Sequence, residues 1–265
     1  MMLRNAMFKQ TLVRSRRDLP AINEAHEAME DAIFAAVTTP EDLTIFNKYI
    51  HVLSMDAKHP GCAEKAHDLL VSLEHRYAAG EVSFRPNLET YNFVIDAWSM
   101  SSQPDAAMKA VALLRVLIDG DGPEDPDSFS FNQALSALSK SPKLGAACLA
   151  EELLQYQEDA YKDRIHSNAR PDSKGYTFVI AAWAHSTAPD APERAERLLN
   201  QMKERYFSGD AHLKPDRTTY IAMIDCWTRS GRGKIAAQNT EALLQEMEYM
   251  CALGDVAIHE RCIRS

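Results

Sequence analysis

The chain has 265 residues, 46% hydrophobic and 25% charged, the proportions of a folded protein with a sizeable core. A net charge of −9 excludes a generally basic nucleic-acid coat and leaves only a local basic groove open. No apolar run approaches the ~20 residues that cross a bilayer, so no membrane partner is expected.

Residues 1–17 carry Arg4, Lys9, Arg14, Arg16 and Arg17 and no acid, and Met7, Phe8, Leu12 and Val13 can share one helical face. That composition fits a basic targeting segment, and with it a mitochondrial or plastid location. A basic first helix, or a start within a longer protein, fits it too; the protein is then expected to be intracellular and soluble. Residues 18–40 predict an amphipathic capping helix: Leu19-Pro20 suit its start, and Ala25, Met29, Ile33 and Val37 recur every four residues.

From there the chain repeats itself. Pro86-Asn87, Pro126-Asp127, Pro171-Asp172 and Pro215-Asp216 each stand five residues before an aromatic: Tyr91, Phe131, Tyr176 and Tyr220. Phe46 opens an earlier copy without the proline in register. Four residues after the aromatic comes Ile50, Ile95, Leu135, Ile180 or Ile224, and seven after it Leu53, Trp98, Leu138, Trp183 or Trp227. Offsets of zero, four and seven lie on one face of a helix. A second stripe follows in each copy, as in Ala66-Leu69-Leu70-Leu73 and Ala195-Leu198-Leu199-Met202, with offsets of zero, three, four and seven. Measured from aromatic to aromatic, the period runs 45, 40, 45 and 44 residues.

Five helical hairpins are therefore expected, at 41–85, 86–125, 126–170, 171–214 and 215–253, with breakers such as Pro60-Gly61, Pro142 and Ser230-Gly231-Arg232-Gly233 between helices. Residues 254–265 fit either the start of a further repeat or a C-terminal cap, and the gene model is either complete here or truncated. A single hairpin cannot bury both stripes, but stacked neighbours share a continuous core. The expected fold is all-α: a right-handed superhelical solenoid of antiparallel hairpins, about five repeats of 40–45 residues. The first helices would line its concave face.

Catalytic and metal signatures are not found. His51, His59, His67 and His75 recur every eight residues but span the Pro60-Gly61 break, so no ligand ladder is expected. The five cysteines, Cys62, Cys148, Cys226, Cys251 and Cys262, form no C-x-x-C and are read as small buried thiols of a reducing compartment. There is no phosphate loop, nucleophile elbow or zinc-deaminase pattern. Neither enzymatic activity nor a cofactor or metal is expected.

The run Pro86-Asn87-Leu88-Glu89-Thr90-Tyr91-Asn92, and Pro171-Asp172 through Tyr176-Thr177, each followed by A-x-x-L-L-x-x-M or a close variant, resembles the pentatricopeptide repeat family over about residues 41–252. The long copies are similar to the long-repeat variants, including the RNA-binding half of protein-only ribonuclease P, although no acidic nuclease domain follows. The resemblance implies a monomeric protein of organellar RNA metabolism that reads single-stranded RNA at one base per repeat, alongside other RNA-processing proteins. It also implies which residues read: the one after each aromatic, with the one after the following proline. Carried over, the pairs are Asn47 with Asn87, Asn92 with Asp127, Asn132 with Asp172, and Thr177 with Asp216. By family analogy these favour the order C-U-U-G. The fifth repeat departs, with Ile221 at the reading position. Two residues before each aromatic, where the family clamps a base with an apolar side chain, stand Thr44, Glu89, Phe129, Lys174 and Thr218.

Two alternatives stand beside this. Asp or Asn before a helix is also an ordinary N-cap. That accounts for Asp127, Asp172 and Asp216 but not for Asn92 and Asn132, which lie inside their helices. A helical-repeat scaffold that binds a protein partner would suit the acidic net charge. The sign of the charge on the first-helix face separates the two functions, positive for RNA and negative for protein.

Overall fold

The computed structural model describes residues 42–263, with side chains described up to residue 250. The expected targeting segment at 1–17 and capping helix at 18–40 lie outside the described residues. Ten α-helices are present among them: α1 Leu43–Met55, α2 Cys62–Ala78, α3 Leu88–Met100, α4 Ala106–Ile118, α5 Ser128–Ser139, α6 Ala146–Lys162, α7 Ser173–His185, α8 Ala191–Phe207, α9 Arg217–Arg229 and α10 Lys234–Ile263. A single 3-10 turn, Ala211–Leu213, precedes α9, and the described residues contain no strand. The all-α expectation holds.

The helix starts follow from local chemistry. Asn87, Asp127 and Asp216 each accept the backbone N–H of Thr90, Ser130 or Thr219, and the hydroxyl of that residue accepts the cap's own N–H in return. This reciprocal box satisfies two of the donors that a helix start leaves open. Asp172 accepts instead from the N–H groups of Lys174 and Gly175. The starts of α2 and α6 use another device: Gly61 and Gly145 take φ of +92° and +86°, a turn that a Cβ would strain.

The odd-numbered helices form one continuous row, α1 against α3, α3 against α5, α5 against α7 and α7 against α9. Each even-numbered helix packs on the odd helix before it, and α2, α4, α6 and α8 pack on the odd helix after it as well. This is the neighbour-to-neighbour order of a helical repeat array. Odd helices are enclosed by neighbours on several sides, so nine of the twelve residues of α5 are buried, against seven of seventeen in α6.

The core is the expected pair of stripes. Phe46, Tyr91, Phe131, Tyr176 and Tyr220 are buried, as are Trp98, Trp183 and Trp227 and the leucine pairs 69/70, 113/114, 153/154 and 198/199. Leu244 of α10 is 44% exposed, because no odd helix follows α10 among the described residues.

Neighbouring copies match each other in detail. Tyr91 Oη donates to Glu74 of α2, which also accepts from Arg85. Tyr176 Oη likewise donates to Glu158 of α6, which also accepts from Arg205. Where the aromatic lacks a hydroxyl, at Phe131, the corresponding position of α4 is Ile118 rather than Glu. The tryptophans follow a similar rule. Lys109 Nζ lies 4.2 Å from the Trp98 ring centre, and the guanidinium carbons of Arg194 and Arg232 lie 4.9 Å and 5.8 Å from Trp183 and Trp227. Where Leu138 replaces tryptophan, the residue matching Lys109 and Arg194 is the apolar Leu149.

Two expectations are corrected. α10 runs unbroken from Lys234 to Ile263, through the expected boundary at 253, which speaks against a further repeat starting in 254–265 and leaves the C-terminal cap as the other reading. Gly254 costs a helix only ~1 kcal/mol relative to alanine, and no proline follows to force a stop. Among the cysteines, Cys62 and Cys226 are buried but Cys148 is exposed. Burial pushes the Cys226 thiol up to about 12, so it stays protonated and inert.

Candidate nucleic-acid interface

The residue after each aromatic sits at the edge of the buried stripe, where one odd helix meets the start of the next. Asn47 Nδ2 donates to Asn87 Oδ1 at 3.0 Å and to Glu89 Oε2 at 2.8 Å. Its Oδ1 accepts from Thr90 Oγ1 at 2.6 Å. One repeat on, Asn92 Nδ2 donates to Asp127 Oδ1 at 3.2 Å, and Asn92 Oδ1 accepts from Ser130 Oγ at 2.6 Å. In the third repeat Asn132 Nδ2 donates to Asp172 Oδ1 and Oδ2 at 3.2 and 3.1 Å. In the fourth, Thr177 Oγ1 lies 2.7 Å from Thr219 Oγ1, which donates to Asp216 Oδ1 at 2.9 Å.

All eight residues drawn from the resemblance are thus brought together in pairs, three directly and the fourth through Thr219. They do not stand out into an open trough: Asn47, Asn92, Asn132 and Thr177 are 3%, 7%, 8% and 8% exposed. A buried amide is costly unless its donors and acceptor are met. These bonds occupy the amide oxygens of Asn47 and Asn92 but leave Asn132 Oδ1 without a partner, and they fasten each odd helix to the cap of the next. The capping role applies to Asn87, Asp127, Asp172 and Asp216, and the asparagines inside the helices serve those caps rather than their own.

Sequence reasoning passed over Thr90, Ser130 and Thr219, which complete the first, second and fourth pairs; the third has Gly175 at that place. Their signal is a small hydroxyl residue immediately before the aromatic. It also passed over a second ladder at the other end of the odd helices. Lys140 Nζ donates to Ser99 O at 2.8 Å, and His185 Nδ1 lies 2.8 Å from Ser139 O. Serine eight residues after the aromatic, at Ser54, Ser99 and Ser139, is the trace of it in the sequence. Burial pulls the Lys140 ammonium below its ordinary range, with the nearby Asp96 acting in the opposite direction.

Beside the second pair a cleft of about 470 Å³ opens between the starts of α3 and α5. Asn87, Asn92 and Asp127 line it, and so do the rings of Phe93 and Phe129. Phe129 is 43% exposed, and Phe93 rests on His51 with ring centres 4.6 Å apart. Amide, carboxylate and aromatic faces are the groups that take the edge and the face of a nucleobase. Glu89 and Glu124 also line the cleft, and no cation does. It is therefore shaped for a base or another donor-rich group rather than for a phosphate. The five positions two before the aromatics, Thr44, Glu89, Phe129, Lys174 and Thr218, are all exposed, as is Ile221.

Charge is divided between the two sets of helices. The exposed charged residues of the odd helices are Lys48, Lys174, Arg217 and Arg229 against Glu89. Those of the even helices, up to residue 250, number eight acids against four bases. Arg229 is paired with Asp225 at 3.1 Å and the exposed Asp216 caps α9 beside Arg217, so the row that carries the Asn and Thr pairs keeps a small cationic excess, Lys48, Lys174 and Arg217 against Glu89 and Asp216. Among the described residues no three His, Cys, Asp or Glu side chains cluster to hold a metal, and no helix is long and apolar enough to cross a membrane.

Compared with known proteins, the chain matches no family model and no curated sequence.

Proposed function

We propose that this chain is a pentatricopeptide-type repeat protein that binds single-stranded RNA along the exposed side of its odd helices. The row curves as a right-handed superhelix with that side inward. The observation that carries the proposal is the charge division: Lys48, Lys174 and Arg217 outnumber the exposed acids Glu89 and Asp216 on the odd row, where Arg229 is paired with Asp225, while exposed acids outnumber bases eight to four on the even helices. A polyanion is attracted to the first surface and repelled by the second. The cleft at Asn92, Asp127 and Phe129 supplies a place for one base, at the second pair. Action in a mitochondrion or plastid belongs to the same reading.

The test is fluorescence anisotropy with an unstructured RNA, a duplex RNA of the same length and a series of salt concentrations. Single-stranded RNA should bind in preference to duplex. Three to four phosphate contacts should give a log–log salt slope of about −2 to −3. Reversing Lys48, Lys174 and Arg217 to Glu should abolish binding, while reversing Arg115 and Arg197 on the even helices should leave it unchanged. Equal losses from both sets would remove the reading.

The carboxylates of the cleft support a second reading, a scaffold that takes a basic peptide, with an Arg or Lys head between Phe93, Phe129 and Glu124. A lysine- and arginine-rich peptide that binds when RNA does not, and is lost on Glu124→Lys, would establish it instead.

A further inference from the structure

Successive copies meet at the same three places. A Cβ built on Gly175 of α7 would stand 3.0 Å from Asn132 Oδ1, 3.5 Å from Leu135 Cδ1 and 3.8 Å from Leu154 Cδ1. The residue one after the aromatic, the residue four after it and the second leucine of the even helix thus converge on the odd helix that follows. In the four earlier copies all three places are at most 8% exposed. In the fifth they are Ile221, Ile224 and Leu244. There Ile221 is 52% and Leu244 44% exposed, and Ile224 is half-buried. Ala237 of α10 is exposed too, where its counterparts Ala63, Ala107 and Ala147 are buried. The face of α9 and α10 therefore has the shape of one side of a seam, with no helix laid on it among the described residues.

That face is not suited to a further repeat of the same kind. The first of the three places is Asn47, Asn92, Asn132 or Thr177 in the earlier copies, and each of them bonds at the start of the next odd helix. Ile221 offers such a start no hydrogen bond and matches an apolar side chain instead. The charges around the patch are also sorted. The exposed bases of α9 are Arg217 and Arg229, and past its first turn the exposed charged residues of α10, up to residue 250, are Glu241 and Glu248. With α9 laid antiparallel on α10 of a second copy, and Ile221 against Leu244, Arg217 comes level with Glu248. Arg217 stands four residues before Ile221 and Glu248 four after Leu244, a rise of ~6 Å on either helix. Neither has a hydrogen bond or ion pair within the chain among the described residues.

We infer that the face of α9 and α10 is a self-association surface, on which a second copy of this chain packs through Ile221, Ile224 and Leu244 with Arg217 of each copy facing Glu248 of the other. The result is a two-fold dimer in place of the monomer that the resemblance implies. Both copies use the same face, so every contact is made twice and the assembly closes at two. An apolar centre with a charged rim is the usual build of a specific interface. The inference goes beyond the RNA reading and does not rest on it. Arg217 also counts among the cations of the odd row, so the test is made without RNA.

Sedimentation equilibrium of the whole chain across a concentration series should give a reversible monomer–dimer equilibrium. Ile221→Asn with Leu244→Gln should weaken it about a hundredfold, as loss of the central anchors does. Both side chains are exposed in the single chain, so the helical circular dichroism of that variant should be unchanged. Arg217→Glu alone and Glu248→Arg alone each set like charges together at both ends of the contact, and each should weaken the dimer about tenfold. An equal mixture of these two variants restores opposite charges at both ends and should associate as strongly as the unaltered chain. A chain that stays monomeric at every concentration, assemblies that grow past two, or a dimer that survives Ile221→Asn with Leu244→Gln overturns the inference. A mixture no stronger than its separate parts overturns the pairing of α9 with α10. None of these results bears on RNA binding, which its own titration decides.

Discussion

Tyr91 Oη lies 2.7 Å from Glu74 Oε1, tying the aromatic of one repeat to the last turns of the helix before it. The same arrangement joins Tyr176 to Glu158, and it is absent where the aromatic is Phe131 and its counterpart on α4 is Ile118. Polar is matched with polar and apolar with apolar, because a buried hydroxyl or carboxylate without its partner is costly.

That rule predicts the outcome of a swap. Phe131→Tyr alone should destabilise the protein by about 1–3 kcal/mol, since it adds a buried hydroxyl with no acceptor. Adding Ile118→Glu should recover part of the loss, with a coupling of about 0.5–3 kcal/mol between the two sites. Urea unfolding of the four proteins of the cycle measures it, and independent effects would show that the match is not energetic.

The asparagine pairs are expected to contribute to stability whether or not RNA binds. Asn92→Ala removes the bond to Asp127 and the one from Ser130, and should cost about 1–3 kcal/mol. Thr90→Val keeps the shape but removes the donor to Asn47 and the capping box of α3, for about 1–2 kcal/mol. Differential scanning calorimetry with no ligand present separates this role from reading. A variant that loses RNA binding at unchanged melting temperature would place Asn92 outside the ladder's energetics.

At Trp183 the ring should matter far more than the cation above it. Trp183→Ala empties a fully buried site and should cost about 3–5 kcal/mol. Arg194→Met keeps the aliphatic cover and should cost much less, because the guanidinium is solvated and also serves Asp190 and Glu151. Chemical denaturation of both variants gives the ratio.

Stability should fall at both ends of the pH scale. Burial alone would raise the Asp210 carboxyl, but Arg170 and Arg205 more than offset it and hold it below the usual carboxylate range. The contribution of a group so depressed is complete above the unfolded value of about 4 and is lost as pH falls through the lower folded value. Tyr91 and Tyr176 shift the other way: burial, then the bond to Glu74 or Glu158, raises both phenols. Their contribution is complete below about pH 10 and is lost as pH rises further. Melting temperature against pH should show both losses. Asp210→Asn should flatten the acid limb, and Tyr91→Phe with Tyr176→Phe the alkaline one.

The sequence alone determined that the chain is a row of helical pairs. Its two apolar stripes keep the offsets of a helix over five copies, and Pro-Asp or Pro-Asn marks most of the starts, which are properties of the backbone read one helix at a time. Only the tertiary structure decided what the polar residues do. Asn47 and Asn87 are 40 positions apart, and whether their side chains face solvent or each other depends on how closely α1 approaches α3. A periodic pattern gives the face of one helix and not the distance to the next. The division of charge between odd and even rows emerges the same way, since exposure depends on what covers each residue. So does the open oxygen of Asn132, which owes its state to a glycine 43 residues further along, across the seam between two helices. Hydrogen bonds form or fail within a few tenths of an ångström, and that scale belongs to packing.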